Sequence, residues 1–208
     1  MSKIVMRIKQ NSKLKAFVHR LIIPQNQARP RKWVSWFINP FFHKKGNGAV
    51  ICKSVRLDVL PHNEFALGSH STIEDFSVVN NGVGKVVVGN RCRIGIGNTI
   101  IGPVVIEDDV ILAQNVVLSG LNHEYEDVHT PIHKQPILTQ KITVKQGAWI
   151  GANVLVTAGL TIGKNSVVAG GSVVTKNVPD FSVVGGNPAK VLKVFNHAKQ
   201  AWEKTNKD

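Results

Sequence analysis

The sequence predicts an all-β protein, a parallel β-helix with one protruding loop and short flanking helices. Two observations carry this. Aliphatic residues recur at every sixth position, at Ile94, Ile100, Ile106, Leu112 and Leu118, and again at Val144, Ile150, Val156, Ile162, Val168 and Val174. Between the two runs the beat is lost over residues 119–141, a polar stretch containing His123, His129 and His133. A six-residue period fits neither the turn of an α-helix nor simple alternation along one strand, so a fixed repeat is the first architecture to consider. An ordinary β-sandwich would space its strands by about 8–12 residues with variable turns.

Residues 1–48 read as a basic amphipathic segment. Leu14, Phe17, Val18, Leu21 and Ile22 fall on one helical face that stops before Pro24. A second apolar cluster, Trp33, Trp36, Phe37, Phe41 and Phe42, follows Pro30. Residues 1–57 hold 13 Lys and Arg and no carboxylate, so the net charge of +13 lies entirely in this part of the chain. An open solenoid end must be covered, and capping the first coil is one role for the segment. A basic, Trp-bearing segment is also suited to the interface of an anionic membrane, and the two roles are compatible. Nucleic acid is not expected as a partner, because no recognised binding module accompanies the charge.

Residues 49–180 are assigned to the coil. The position two before each aliphatic is apolar or small, as at Val86, Cys92, Val104, Val110, Ile142, Ala148 and Val154. Side chains two apart share one face of a strand, so each hexad supplies a short strand with both ends turned inward. Three residues after each aliphatic stands a turn former, among them Gly97, Asp109, Asn115, Gly147, Asn153, Gly159, Asn165, Gly171 and Asn177. Gly and Asn reach positive φ cheaply. Arg91 is the exception, and a bend there needs another solution. Three hexads close one triangular coil, and successive coils stack about 4.8 Å apart. A weaker early coil runs through Leu67, Ile73 and Val79, with an insertion at residues 80–85. Cys92 falls on an inward position as a small hydrophobe, and Cys52 has no partner motif, so no disulfide framework is expected.

Residues 181–208 read as a strand at 191–195 running into a helix through Trp202, packed on the last coil. The basic N-terminal stretch lacks the continuous apolar region of a cleavable signal, and no run approaches the length of a membrane span. A cytoplasmic protein, peripheral to the inner face of the membrane if the basic segment binds it, is the expectation.

The inserted loop carries the chemistry. A loop that interrupts a regular scaffold is usually functional or disordered. Its His123, in the run Asn122-His123-Glu124, is suited to general-base work, since imidazole titrates near neutrality. The same three histidines could instead bind zinc, or the loop could be merely solvated.

Three further runs are more specific. Trp149-Ile150-Gly151-Ala152-Asn153, Gly170-Gly171-Ser172-Val173-Val174-Thr175-Lys176 and Gly186-Asn187-Pro188-Ala189-Lys190 resemble the hexapeptide-repeat acyltransferases, nearest to the maltose/galactoside and polysaccharide O-acetyltransferase branches. The resemblance spans roughly residues 65–195 and leaves out the basic N-terminus. It implies a left-handed β-helix, a homotrimer with active sites between subunits, and acetyl-CoA as co-substrate with no metal. It implies that His123 is the general base, with Asn122 beside it at the site. For the cofactor it implies Ala152 and Gly170 along the pantetheine arm, then Thr175 and Lys176, with Lys190 and Lys193 near the phosphates and Trp149 lining the groove.

Residues 1–57 do not match the acceptor-holding helical region of relatives acting on simple galactosides or maltose. The expected acceptor is therefore a sugar hydroxyl of a surface-polysaccharide or O-antigen precursor, free or lipid-linked. Two alternatives share the coil. A γ-type carbonic anhydrase needs three histidines converging across an interface, whereas His123, His129 and His133 crowd one loop and the early coil offers only His62 and His70. A non-enzymatic scaffold would lack acetyl-CoA chemistry. The related serine acetyltransferases carry a large helical N-terminal domain that is absent here.

Overall fold

The computed structural model describes residues 11–205; residues 1–10 of the basic segment and 206–208 of the C-terminal segment lie outside the described residues. The coil has three flat faces. The first consists of strands Lys44–Lys45, Phe65–Leu67, Val86–Val88, Val104–Ile106, Ile142–Val144 and Thr161–Ile162. The second runs through Val50–Ile51, Thr72–Ile73, Arg93–Ile94, Ile111–Leu112, Trp149–Ile150, Val167–Val168 and Ser182–Gly185. The third runs through Arg56–Asp58, Val78–Asn80, Thr99–Ile101, Val117–Ser119, Leu155–Val156 and Val173–Val174. All pairings between successive rungs of these faces are parallel and in register, as in Val88↔Ile106↔Val144 on the first face.

The hexad aliphatics form the core as expected. Ile94, Ile100, Ile150, Ile162, Val168 and Val174 are fully buried, and one continuous cluster runs from Ala49 to Val184. Small polar residues at inward positions are satisfied by the neighbouring rung. Asn98 donates to the carbonyl of Ala113 at 2.8 Å and accepts from the N–H of Val116 at 2.9 Å. Cys92 is buried, its thiol donating to the Glu107 carbonyl at 3.0 Å, and burial pushes that thiol up from its ordinary pKa.

The corners behave as the turn formers predict, with Gly97, Asp109, Asn115, Gly147, Asn153, Gly159, Asn165 and Gly171 all at positive φ. Arg91 adopts the same left-handed conformation at φ +55. Its guanidinium is fixed by a two-pronged bond to Asp109 one rung on, at 2.6 and 2.9 Å. Asn177 does not turn the chain this way; its side chain accepts the Thr161 N–H at 2.8 Å instead.

Two boundaries differ from expectation. The coil begins at Lys44 rather than residue 49, because Lys45, Ile51 and Leu57 continue the six-residue beat into a first rung. The C-terminal helix is absent. Lys190–Asn196 and Ala201–Lys204 form an antiparallel hairpin that extends the second face. The Asn196 side chain accepts the N–H groups of Ala198 and Lys199, Gln200 turns at φ +50, and Phe195 meets Trp202 edge-on at 5.4 Å. The pairing of Phe195 with Trp202 and of Asn196 with Ala201 turns the chain back into this hairpin in place of a helix.

Before the coil, α1 (Ser12–Ile22) is capped by Asn11, whose side chain accepts the Leu14 N–H at 3.0 Å. Two short helices follow, α2 (Lys32–Phe37) and α3 (Asn39–Phe42). Val34 and Asn39 are buried, and Asn39 donates to the Val59 carbonyl at 2.9 Å, tying the segment to the first rung. The capping role is thus carried by few residues; most of the segment's large apolar side chains face outward.

Candidate active site

The corners of the coil are not equivalent. From first to second face, and from second to third, the chain advances by the same five positions at every rung, as in Val144 to Trp149 and Ile150 to Leu155. Every irregularity falls on the remaining edge, between third and first faces, at Asp58 to Phe65, Asn80 to Val86, Ile101 to Val104 and Ser119 to Ile142, while Val156 to Thr161 keeps the step of five. Solenoid insertions that gather on one side commonly mark the binding side.

The long loop leaves this edge at the fourth rung. Gly120 is needed at its root, since a Cβ there would stand 2.7 Å from the backbone of Pro103. The loop returns through Gln140, whose N–H donates to Gly120 at 2.9 Å and whose carbonyl accepts from Gly159 at 3.2 Å. Its stem is an antiparallel ribbon, Leu121–His123 against Ile137–Thr139, pairing His123 with Ile137. The far part is braced by Gln135, whose amide donates to the carbonyls of Asp127 and Thr130 at 2.8 and 2.7 Å. Hydrogen bonds from the Thr130 side chain and the His129 N–H hold the Asp127 carboxyl below its ordinary pKa. That carboxylate is thereby spent on the loop's own shape.

The ribbon fixes where His123 stands. Both Asn122 and His123 are exposed. As neighbours on a strand they point to opposite faces of the ribbon, so Asn122 does not lie beside the imidazole. Among the described residues no carboxylate bonds to His123, and no three His, Cys, Asp or Glu side chains are placed to hold a metal ion.

Two rungs further on, across the end of the coil, lies a cavity of about 820 Å³. Its lining includes Thr175, Lys176 and Lys190 from the expected cofactor set, together with Val174, Val178, Val184 and Val191. The cavity exists because the last coil is short: Val178 follows Val174 by only four positions, and the C-terminal hairpin overhangs the gap. Val178, Val184 and Val194 were not among the expected binding residues. The only signal for them is Pro179, which interrupts the beat.

The other expected residues stand elsewhere. Ala152 and Gly170 lie at the edge between the second and third faces, stacked one rung apart; a Cβ on Gly170 would meet the Ala152 carbonyl at 3.1 Å. Trp149 is half exposed on the second face, in a column with Ile111 and Val167. Lys193, paired with Val183, lies on the extension of that face. One subunit therefore brings Thr175 and Lys176 to the edge that bears the His123 ribbon, whereas Lys190, paired with Gly185, lies toward the edge between the second and third faces. Trp149, Ala152, Gly170, Lys190 and Lys193 gather on and beside the second face, across the third face from His123, Thr175 and Lys176.

The family model described as bacterial transferase hexapeptide (six repeats) matches residues 141–176. The chain is 38% identical over 127 residues to a polysialic acid O-acetyltransferase of Escherichia coli O1:K1, covering 59% of this chain and 39% of that protein. It is 32% identical over 108 residues to a putative lipopolysaccharide biosynthesis O-acetyl transferase of Escherichia coli K12, covering 49% and 55% respectively. The chain thus spans about half the length of the curated relatives it matches. Among solved structures, an N-acyltransferase from Bacillus cereus in complex with dTDP and coenzyme A superposes with a TM-score of 0.63 at 19% identity, over 73% of this chain and 83% of that one. A hexapeptide-repeat acetyltransferase from Vibrio cholerae gives 0.51 at 21% identity, over 92% and 86%. These two share the fold.

Proposed function

We propose that this chain, which carries the hexapeptide repeat of the bacterial transferases, moves an acetyl group from acetyl-CoA to a sugar hydroxyl. The observation that carries the reading is the His123 ribbon on the irregular edge, with Thr175 and Lys176 of the cavity two rungs further along that edge. The cavity suits the donor's end: its valines offer apolar surface, and two lysine ammonium groups can meet phosphates as point charges. It lies two interstrand steps, about 10 Å, from the rung that bears the ribbon. A pantetheine arm is long enough to bridge that distance along the edge.

His123 acts as the general base in this reading. Its imidazole accepts the proton of the acceptor hydroxyl while the hydroxyl oxygen attacks the thioester carbonyl carbon, and it can return that proton to the departing thiolate. The imidazole stands on a paired strand rather than a free loop, which limits the freedom lost when the acceptor binds. Cys92 is buried in the coil and takes no part.

The acceptor is proposed to be a surface-polysaccharide precursor, by likeness to the two Escherichia coli O-acetyltransferases. Homotrimer assembly is proposed on a geometric ground. Ala152, Gly170 and Trp149 are separated from His123 by the whole third face, so the two groups can surround one donor only if they come from neighbouring copies. Purified protein incubated with labelled acetyl-CoA and a panel of sugars, nucleotide sugars and lipid-linked oligosaccharides tests the reading. Label transferred to an ester on a sugar supports it, and CoA release independent of every acceptor overturns it.

A further inference from the structure

The segment before the coil has an unusual surface. Phe41 is 85% exposed, Trp36 68% and Phe17 61%, with Phe37 and Phe42 also outward. Single exposed apolar side chains are ordinary on a monomer, but five large ones within 26 residues of chain call for a use. The anchoring is in place already: Val34, Ile23 and Asn39 are buried, and Arg29 reaches Asp58 at 3.6 Å. What is exposed is therefore surplus to the cap.

Charge selects the occupant. Residues 1–57 contain no carboxylate. Lys13, Arg20, Lys32, Lys44 and Lys45 are exposed, and none takes part in an ion pair among the described residues. A second copy would present the same positive surface and be repelled. A negatively charged, apolar-backed surface is the complement, and aromatic side chains interspersed with Lys and Arg have that complement in the headgroup region of an anionic bilayer.

We propose that this first-rung surface docks the protein reversibly on an anionic lipid bilayer. The position of the dock relative to the site gives it a consequence that rests on the transferase reading. Asn39 and Arg29 hold the segment to Val59 and Asp58, on the same irregular edge that bears the His123 ribbon. The ribbon leaves the fourth rung, three interstrand steps or about 14 Å further along the coil. The cavity lies beyond it, at the end away from the lipid. An acceptor glycan carried on a lipid would reach His123 along this edge, while acetyl-CoA has free access from the opposite end.

The test is co-sedimentation of the full chain, without acetyl-CoA, with vesicles of phosphatidylcholine alone or mixed with phosphatidylglycerol, at low and high salt. Binding to the anionic vesicles only, lost at high salt, is expected. The double substitution Trp36→Ser and Phe41→Ser should weaken that binding about tenfold or more while the melting temperature and acetyl transfer to a soluble acceptor stay unchanged. Equal binding to neutral vesicles, no binding to either, or a double variant that binds as the parent does would overturn the proposal. So would a double variant whose only change is its oligomeric state, which would place a second copy on this surface. Failure of acetyl transfer with normal vesicle binding would instead count against the transferase reading alone.

Discussion

Gly120 lies directly against Pro103, so closely that a β-carbon would stand 2.7 Å from the proline backbone. This contact sets where the loop leaves the coil, and with it the position of His123 three residues later. Gly120→Ala is expected to push the loop root outward. Overpacking of this kind costs about 1–3 kcal/mol, and turnover should fall more than coil stability does, since the coil's aliphatic columns are untouched. Thermal melting and steady-state kinetics on one sample check this; an unchanged turnover number would show that the root does not position the base.

Ile150 and Ile162 sit in the internal columns of successive rungs and are fully buried. Truncating either to Ala should cost about 2–5 kcal/mol. Denaturant midpoints measure it. Variants as stable as the parent would contradict the burial described here.

Arg91 and Asp109 give a pH-dependent term. The Arg91 guanidinium, and after it the Gln146 amide, hold the Asp109 carboxyl below its ordinary pKa. A carboxyl lowered in the folded state stabilises it fully above the unfolded value of about 3.9, and that contribution fades as pH falls through the lower folded value. Arg91→Gln should raise the Asp109 titration midpoint toward the ordinary value, followed by carboxyl-carbon NMR. A midpoint that does not move would mean the pair is absent in solution.

The coil was legible in the sequence because each inward aliphatic has one place to go and each corner one conformation to adopt. The first rung was harder to see, since Lys45 occupies the column position at the open end and Ile51 and Leu57 are only half buried. The C-terminal hairpin was misread for a local reason. The stretch from His197 to Trp202 has helical composition, but the ladder pairing of Lys193–Asn196 with Ala201–Lys204 folds it back as a hairpin on the second face. In the loop, His123 was legible as a residue, while its separation from Asn122 across the ribbon follows from the pairing with Ile137–Thr139. The cavity at the end of the coil was hidden because it arises from a shortened step between Val174 and Val178, a change of spacing rather than of residue type.

Lys176 and Lys190 line that cavity and are both exposed. Replacing both with Gln should raise the KM for acetyl-CoA about fivefold to twentyfold, as expected for phosphate contacts partly screened by water. Turnover at saturating donor should change little. Initial rates against donor concentration check this, and a fall in turnover with an unaltered KM would remove the two lysines from the donor site.

The central claim is that His123 removes the acceptor's proton. The direct measurement is the turnover number of His123→Ala with acetyl-CoA and a working acceptor, on protein whose melting temperature matches the parent. A loss of about 10²–10⁴-fold is expected for a positioned base, with His129→Ala and His133→Ala close to the parent. A His123→Ala protein that keeps near-parental turnover would contradict the account.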